Sequence, residues 1–480
     1  MKLQHWKQDT FTTPNQYHYR KPGDFYSLDG LIPAIDGRTL KRMPSWTGHV
    51  DFVANFSRPY GAFYHTDRQQ FHFVGTSAAT PPNNTLGVMT ITHENNVAGG
   101  VHSVGSGATA AIARLGGNHK QNLQFTMGEF WFMAWDGHAY TGTIHTSSTP
   151  TTVYSAHDAI SLLTVRDTIY LIDTLDDIYR WNPTTSAFES FLDSTMELNI
   201  RYALHSCENI VMLSRLDDGS LIIYAIDDRP TAELRQIVRL PHESASYLAD
   251  DPSAEFSTPH AIHNDQLYFS PGLYWSDESD ADVAPIWRFD GNSVELVENV
   301  DVLCIPYCWG LTTWRGRLLL YFIKNQSQHI YTLHGSRFVQ ILDAAYTTED
   351  WADLYSLAGE LWLPVEDTGT QGWMRLDDYQ DGVFTSSWLD FDRPITQKHL
   401  VNLSAVISSP IADFNVKLEY RTESGSWTQA ANTANARHVL ATDLDVDFYL
   451  LQIRVTLDDD TGANQDVALH SIGVAYSYGR

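Results

Sequence analysis

Three observations predict an all-β chain: a β-propeller of six to seven blades over residues 51–385, then a β-sandwich over 386–480, after an N-terminal arm over 1–50. One four-residue pattern returns seven times, mostly at steps of about 43–46 residues, the period of four-stranded propeller blades. Runs of Ala, Leu, Glu and Lys at helical spacing are nearly absent, whereas aromatic and β-branched runs broken by Asp-Gly, Asn-Pro and Ser-Pro are common. From about Trp388 the repeat gives way to longer strands of alternating polarity.

The recurring pattern is a bulky apolar residue, a small residue or Arg, an apolar residue and a turn former. Its copies begin at Met89, Met133, Tyr179, Tyr224, Trp287, Tyr331 and Met374. Most are preceded by an apolar strand, such as Phe71–Val74, Ile169–Ile172, Leu267–Phe269, Leu318–Tyr321 or Leu361–Leu363. Tight turns follow most of them, as at Asp136-Gly137, Asn182-Pro183, Asp290-Gly291 and His334-Gly335, where Gly permits positive φ and Asx side chains satisfy nearby backbone. An outer strand comes next, as in Ala187–Phe191 and Arg337–Ile341. Such a unit buries its faces only against neighbouring units, so an apolar pattern recurs without one long hydrophobic centre.

Residues 1–50 form the most basic stretch and read as an arm: either a solvated N-terminal strand and loop, the preferred reading, or a tether whose Arg38, Lys41 and Arg42 dock on an acidic neighbour. The fourth repeat is longer by roughly 18 residues. The excess is assigned to Pro241–Pro259 and to the acidic loop holding Asp277, Asp280 and Asp282, a protruding interaction site. Between Gly99 and Gly117 a Gly- and Ala-rich stretch reads as an irregular crossing or short helix. Strands at Val401–Ile407, Phe414–Arg421, Phe448–Leu457 and Val467–Tyr476 compose the sandwich.

Composition bounds the function. The 480 residues hold 58 acids against 31 Lys and Arg, a formal charge of −27. That excludes a basic groove tracking nucleic acid, although DNA can pass an acidic wall without adhering to it. Three cysteines make no disulfide framework, and Cys304 and Cys308 lack a second pair at zinc spacing. That cysteine usage fits assembly in a reducing cytoplasm; the start carries no apolar run of signal-peptide length, and no stretch is long enough to span a membrane.

Motifs for catalysis are missing. There is no metalloprotease run, P-loop or nucleophile elbow, and no catalytic residue or cofactor is expected. The acidic clusters Asp277/Asp280/Asp282 and Asp443/Asp445/Asp447 offer oxygen ligands of the kind calcium takes, but without EF-hand spacing they are weak candidates, and solvated turns are the better explanation. Arg180, Arg288 and Arg375 share one blade position and are read as capping strands rather than converging on a substrate carboxylate. The abundant aromatics are read as packing between blades.

Two stretches carry a resemblance. Gly37-Arg38-Thr39-Leu40-Lys41-Arg42-Met43-Pro44 resembles the Gly-x-Leu-x-x-Arg-Pro-Gly opening of bacteriophage tail propeller proteins, with Leu40 one position late and Met43 between Arg42 and Pro44. Ser387-Trp388-Leu389-Asp390-Phe391-Asp392-Arg393-Pro394, with Lys398 after it, is similar to the segment where those proteins pass into a terminal sandwich. The family is the tail nozzle, or tail hub, of short-tailed phages. The resemblance implies a non-enzymatic structural protein of the virion tail, assembled in the host cytoplasm. It implies a ring, hexameric by expectation, below the portal, whose partners are further copies, adaptor (head-tail connector) proteins and tail fibre or spike proteins. DNA would pass through without specific binding. The alternative is a carbohydrate-acting or carbohydrate-binding propeller, glycosidase- or sialidase-like, with the sandwich as a binding module; the repeated sialidase box is missing.

Overall fold

A computed structural model of the chain describes residues 4–8, 13–14, 24–29, 31–33, 39–42, 44–51, 58–65, 69–76, 86–92, 98–104, 123–126, 129–133, 137–142, 151–192, 198–206, 209–216, 220–227, 233–240, 259–270, 274–275, 281–304, 309–324, 327–344, 354–367, 370–379, 382–408, 414–423, 425–458 and 467–478. Among them every regular element is a strand. Seven sheets follow one another along the repeats.

The first sheet joins Arg58–His65, Gln70–Thr76, Leu86–Thr92 and Ala98–Val104. The second joins Leu123–Thr126, Glu129–Met133, Ala139–Gly142 and Thr151–Tyr154. Ala159–Val165, Thr168–Asp173, Ile178–Asn182 and Ala187–Leu192 make the third, and Ile200–His205, Asn209–Arg215, Leu221–Asp227 and Arg235–Leu240 the fourth. The fifth has His260–His263, Gln266–Phe269 and Ala281–Phe289, with Tyr274–Trp275 and Val294–Cys304 both on the last of these. The sixth holds Trp309–Trp314, Arg317–Lys324, Ser327–His334 and Arg337–Ala344. In the seventh, Tyr355–Leu357, Glu360–Asp367 and Thr370–Tyr379 are completed by Pro44–Asp51 from the N-terminal region.

Two compact units divide the chain: Gly48–Gln328 with Ala345–Arg375, and Met1–Thr47 with His329–Ala344 and Leu376–Arg480. In the first unit the leading strands touch in turn. Arg58–His65 meets Leu123–Thr126, which meets Ala159–Val165, which meets Ile200–His205. His205 and His260 rings, 6.1 Å apart, link the fourth and fifth sheets. His260–His263 meets Trp309–Trp314, this meets Tyr355–Leu357, and Tyr355–Leu357 returns to Arg58–His65. Seven blades therefore close a ring about a common axis. The protein is all-β, a β-propeller with a C-terminal β-sandwich.

Two-sided burial explains why the second strands read as unbroken apolar runs. In the third blade, Leu162, Ile169 and Leu171 pack with Trp131, Met133 and Ala139 of the second. Their alternates, Leu163, Tyr170 and Ile172, pack with Ala203, Ile210 and Met212 of the fourth. Ring closure is aromatic: Phe71 and Phe73 of the first blade lie against Trp362 and Trp373 of the seventh, with Phe73 4.9 Å from Trp362 and 5.1 Å from Trp373. Six of the seven sequence patterns fall on the third strand of a blade. The copy at Met133 instead ends a second strand, and Ala139–Gly142 is the third. Any apolar strand end before a turn satisfies so short a pattern.

Two buried carboxylates tie blades together. Asp173 accepts Tyr154 Oη at 2.6 Å from the second blade, and the amides of Leu175 and Asp177 at 2.9 and 3.1 Å. Burial and that hydrogen bond push the Tyr154 phenol far above its ordinary value. Asp176 accepts three consecutive amides, Leu198, Asn199 and Ile200, at 2.7, 2.9 and 2.8 Å, and so fixes the entry to the fourth blade. Gly137 has φ 80°, and an added Cβ would stand 2.4 Å from an Asp158 carboxylate oxygen.

In the second unit, a seven-stranded sheet runs His438–Ala441, Lys398–Ile407, Ala468–Tyr478, Leu40–Arg42, Leu31–Pro33, with Gln4–Gln8 on Ala468–Tyr478 and Val446–Phe448 on Lys398–Ile407. A six-stranded sheet runs Thr13–Pro14, Asp24–Asp29, Gly382–Ser386, Leu451–Asp458, Asn415–Thr422, Thr428–Ala434. Leu400, Leu403, Ile472 and Val474 of one sheet and Phe384, Val416, Leu418 and Val455 of the other share one core. Residues 1–50, read from sequence as an arm, give strands to both sheets, and the strand Gly382–Ser386, all but its last residue assigned to the propeller, belongs to the sandwich unit. The sequence 105–117 and most of Pro241–Pro259 lie outside the described residues, while Ala98–Val104 is a strand.

Asp176→Ala leaves three amides without their acceptor and should lower stability by roughly 3 kcal/mol, read as a shift in the denaturant midpoint. Gly137→Ala should cost about 1–3 kcal/mol through strain at positive φ, measured the same way.

Candidate functional site

The segment after Gly382–Ser386 organises the sandwich unit. Leu389 exchanges both backbone hydrogen bonds with Leu451, at 2.7 and 2.9 Å. Asp390 Oδ1 then accepts the amide of Asp392 at 2.7 Å, and Asp390 O accepts that of Arg393 at 3.0 Å. Phe391 and Asp392 consequently sit at φ 53° and 60°. Such a pair is costly for non-glycine residues and needs surrounding packing to hold it. Phe391 supplies it, with its ring 4.3 Å from Tyr476 and 5.8 Å from Phe448. Arg393 stacks over Tyr478 at 4.6 Å.

Lys398 is buried, and its ammonium donates to the carbonyls of Arg393, Thr396 and Tyr449 at 2.7, 2.8 and 3.1 Å. Three donors meet three acceptors, so the charge is fully solvated by backbone. Beside it, His399 bridges two aspartates: Nδ1 is 3.0 Å from Asp447 and Nε2 3.2 Å from Asp445.

The face of the six-stranded sheet opposite the core carries a second arrangement. Arg421 lies across from Gln452, and Glu419 across from Arg454. The Arg421 guanidinium is 5.1 Å from the Trp388 ring and 4.8 Å from Trp427, and that of Arg454 is 4.4 Å from Trp427. Glu419 accepts Arg454 Nε at 2.6 Å and Lys417 Nζ at 2.8 Å. Burial alone would push the Glu419 carboxyl up, but these two cations outweigh it and hold it below its ordinary value.

Of the residues singled out from sequence, Asp443, Asp445 and Asp447 are exposed, and only the last two converge, on His399 rather than on each other's oxygens. Among the described residues no group of three or more His, Cys, Asp or Glu could hold a metal ion. Asp282 is the second residue of the strand Ala281–Phe289, while Asp277 and Asp280 lie outside the described residues. Lys41 is exposed in the strand Leu40–Arg42, which also contains Arg42; Arg38 is outside the described residues. Arg288 pairs with Glu295 and Arg375 with Glu360 at 3.5 Å, each with the neighbouring strand of its own sheet. Arg180 stands in register between Tyr170 and Glu189. Each arginine thus lies within its own blade. The Trp388–Arg421–Trp427–Arg454 stack was missed: alternation along Asn415–Thr422 marks Arg421 as outward, but nothing local indicates which tryptophans meet it.

No family model matches the chain, and no curated protein matches it. Solved structures similar to it include a chain of the S. cerevisiae assembly of a Dbp5 variant with Nup159, a Gle1 variant, IP6 and ADP, at 12% identity and TM-score 0.39 over 73% of this chain and 94% of that one. BamB from Moraxella catarrhalis is similar at 11% identity and TM-score 0.38, over 66% and 96%. The N-terminal domain of Nup159 is similar at 10% identity and TM-score 0.39, over 73% and 94%.

Because the Glu419 carboxyl is depressed when folded, its contribution is present above the ordinary value of 4.5 and is lost as pH falls through the folded value. Glu419→Gln should flatten the loss of sandwich stability on acidification below that point, checked by denaturation at a series of pH values. Lys398→Met should lower stability by roughly 1–3 kcal/mol, since three partly buried carbonyls lose their donor; the shift in denaturant midpoint measures it.

Proposed function

We propose that the chain is a non-enzymatic structural subunit that closes into a ring, as the tail nozzle or hub of a short-tailed phage does, with DNA passing through rather than binding. One observation supports this above others. The two stretches that resemble that family are separated by most of the chain, yet both belong to one unit. Leu40, from the first stretch, pairs in register with Leu469, and Lys398, just beyond the second, pairs with Tyr478 of the same strand. The resemblance therefore follows an architectural junction, where the chain enters and leaves the repeats.

Charge is consistent with a conduit. Each phosphate contact adds affinity and slows passage, and a chain of charge −27 offers few such contacts. Partners would be neighbouring copies, adaptor proteins and fibre or spike proteins. Among the described residues no helix is long and apolar enough to cross a membrane.

The carbohydrate reading gains nothing from the propeller axis. Sugar hydrolysis needs two carboxylates at a set separation. The seven leading strands carry His65, His205, His260 and His263, and their described residues include no Asp or Glu.

Electron microscopy of the purified full chain tests the proposal. Closed rings of identical subunits, six by expectation, are the predicted result. Particles of monomer mass across the micromolar range would overturn it.

A further inference from the structure

The Trp388–Arg421–Trp427–Arg454 stack does more than brace its sheet. Arg421 Nε donates to Gln452 Oε1 at 2.7 Å, and Gln452 is itself oriented by Nε2 donating to Ser386 O at 2.8 Å. Arg454 Nε donates to Glu419 at 2.6 Å. Both guanidiniums are thus fixed at Nε and by aromatic rings, while their terminal amino groups make no hydrogen bond among the described residues. Arg454 is 28% exposed and Lys417 38%. Three cations here face one carboxylate, in a chain where acids outnumber bases by 58 to 31. A guanidinium held in this way loses little rotamer freedom on binding, and its free edge matches the two oxygens of a carboxylate.

We infer that this stack is an acceptor for carboxylate side chains, and that its occupant is an acidic stretch of a second copy of this chain. The inference rests on the ring reading. A ring closes through heterologous contacts, in which one surface of each subunit meets a different surface of the next. Complementary charges then sit on separate surfaces and select the register. Acidic stretches are plentiful here, so a rigid cationic patch is the scarce half of such a pair. The sequence Ser276–Asp282, inside the lengthened fourth repeat, supplies four carboxylates in seven residues: Asp277, Glu278, Asp280 and Asp282.

The test uses the full-length chain and a fluorescent synthetic peptide with the sequence of Ser276–Asp282, followed by anisotropy. A control peptide carries Asn and Gln in place of its acids. The acidic peptide should bind, the control should bind at least tenfold more weakly, and the combined Arg421→Gln and Arg454→Gln variant should lose at least tenfold in affinity. Subunit assembly, read by mass photometry, should weaken in the same variant. Equal binding of the two peptides to the wild-type chain overturns the acceptor, and that comparison stands even where the variant misfolds. Assembly that proceeds unchanged in a folded variant overturns the second copy as occupant. A wild-type chain that binds the acidic peptide but stays monomeric removes the ring and leaves the acceptor to an acidic segment of another protein.

Discussion

A propeller strand has two greasy faces and no means of covering either within its own sheet. Everything in the repeat region depends on that constraint. The alternates of Ile169–Ile172 bury in opposite directions, half against the second blade and half against the fourth. An open row of such sheets would leave a face bare at each end. Closure onto the first blade removes both ends at once, and it is made by the largest side chains available, Phe71 and Phe73 against Trp362 and Trp373. Aromatic pairs of this kind add about 0.5–1.5 kcal/mol each beyond their buried area.

Polar groups in the same region serve position more than cohesion. Asp173 and Asp176 stand three residues apart in sequence and serve opposite neighbours, one reaching the Tyr154 hydroxyl and the other the amides of residues 198–200. Trp314 donates to the carbonyl of Gly359 at 3.0 Å and Thr313 to that of Ile262 at 2.7 Å, so the sixth blade is stitched on both sides. Such directional bonds set the angle between wedges that dispersion alone would leave free to slide.

The sequence made the propeller legible because its signal is repeated. Five apolar second strands and two outer strands were readable from residue order, and each lies in the expected element. The error at Met133 has a plain cause, since one apolar run before a turn looks much like another. Long-range pairing was the hidden part. Nothing in Pro44–Asp51 names Thr370–Tyr379 as its partner, and nothing in Gln4–Gln8 names Ala468–Tyr478. Backbone ladders are blind to residue identity, so a strand that crosses most of the chain to find its partner leaves no local mark. The arginine–tryptophan stack escaped notice for the same reason: Trp388, Arg421 and Arg454 come from three strands or their flanks. His399 shows the converse, because two of three acids grouped by spacing did converge, but on an imidazole 46 residues or more upstream.

The strand Pro44–Asp51 has a further consequence for how the molecule comes into being. On a ribosome it emerges early, whereas its partner emerges only after six other blades have been synthesised. Until then its hydrogen-bonding edge stays open, and unpaired edges of this kind invite association with other chains. Contacts between such distant parts of a chain also make folding slow. Gln4–Gln8 waits longer still, because its partner Ala468–Tyr478 is the last described strand to be synthesised, so the N-terminal strands find their places only after the repeats and the sandwich have been made.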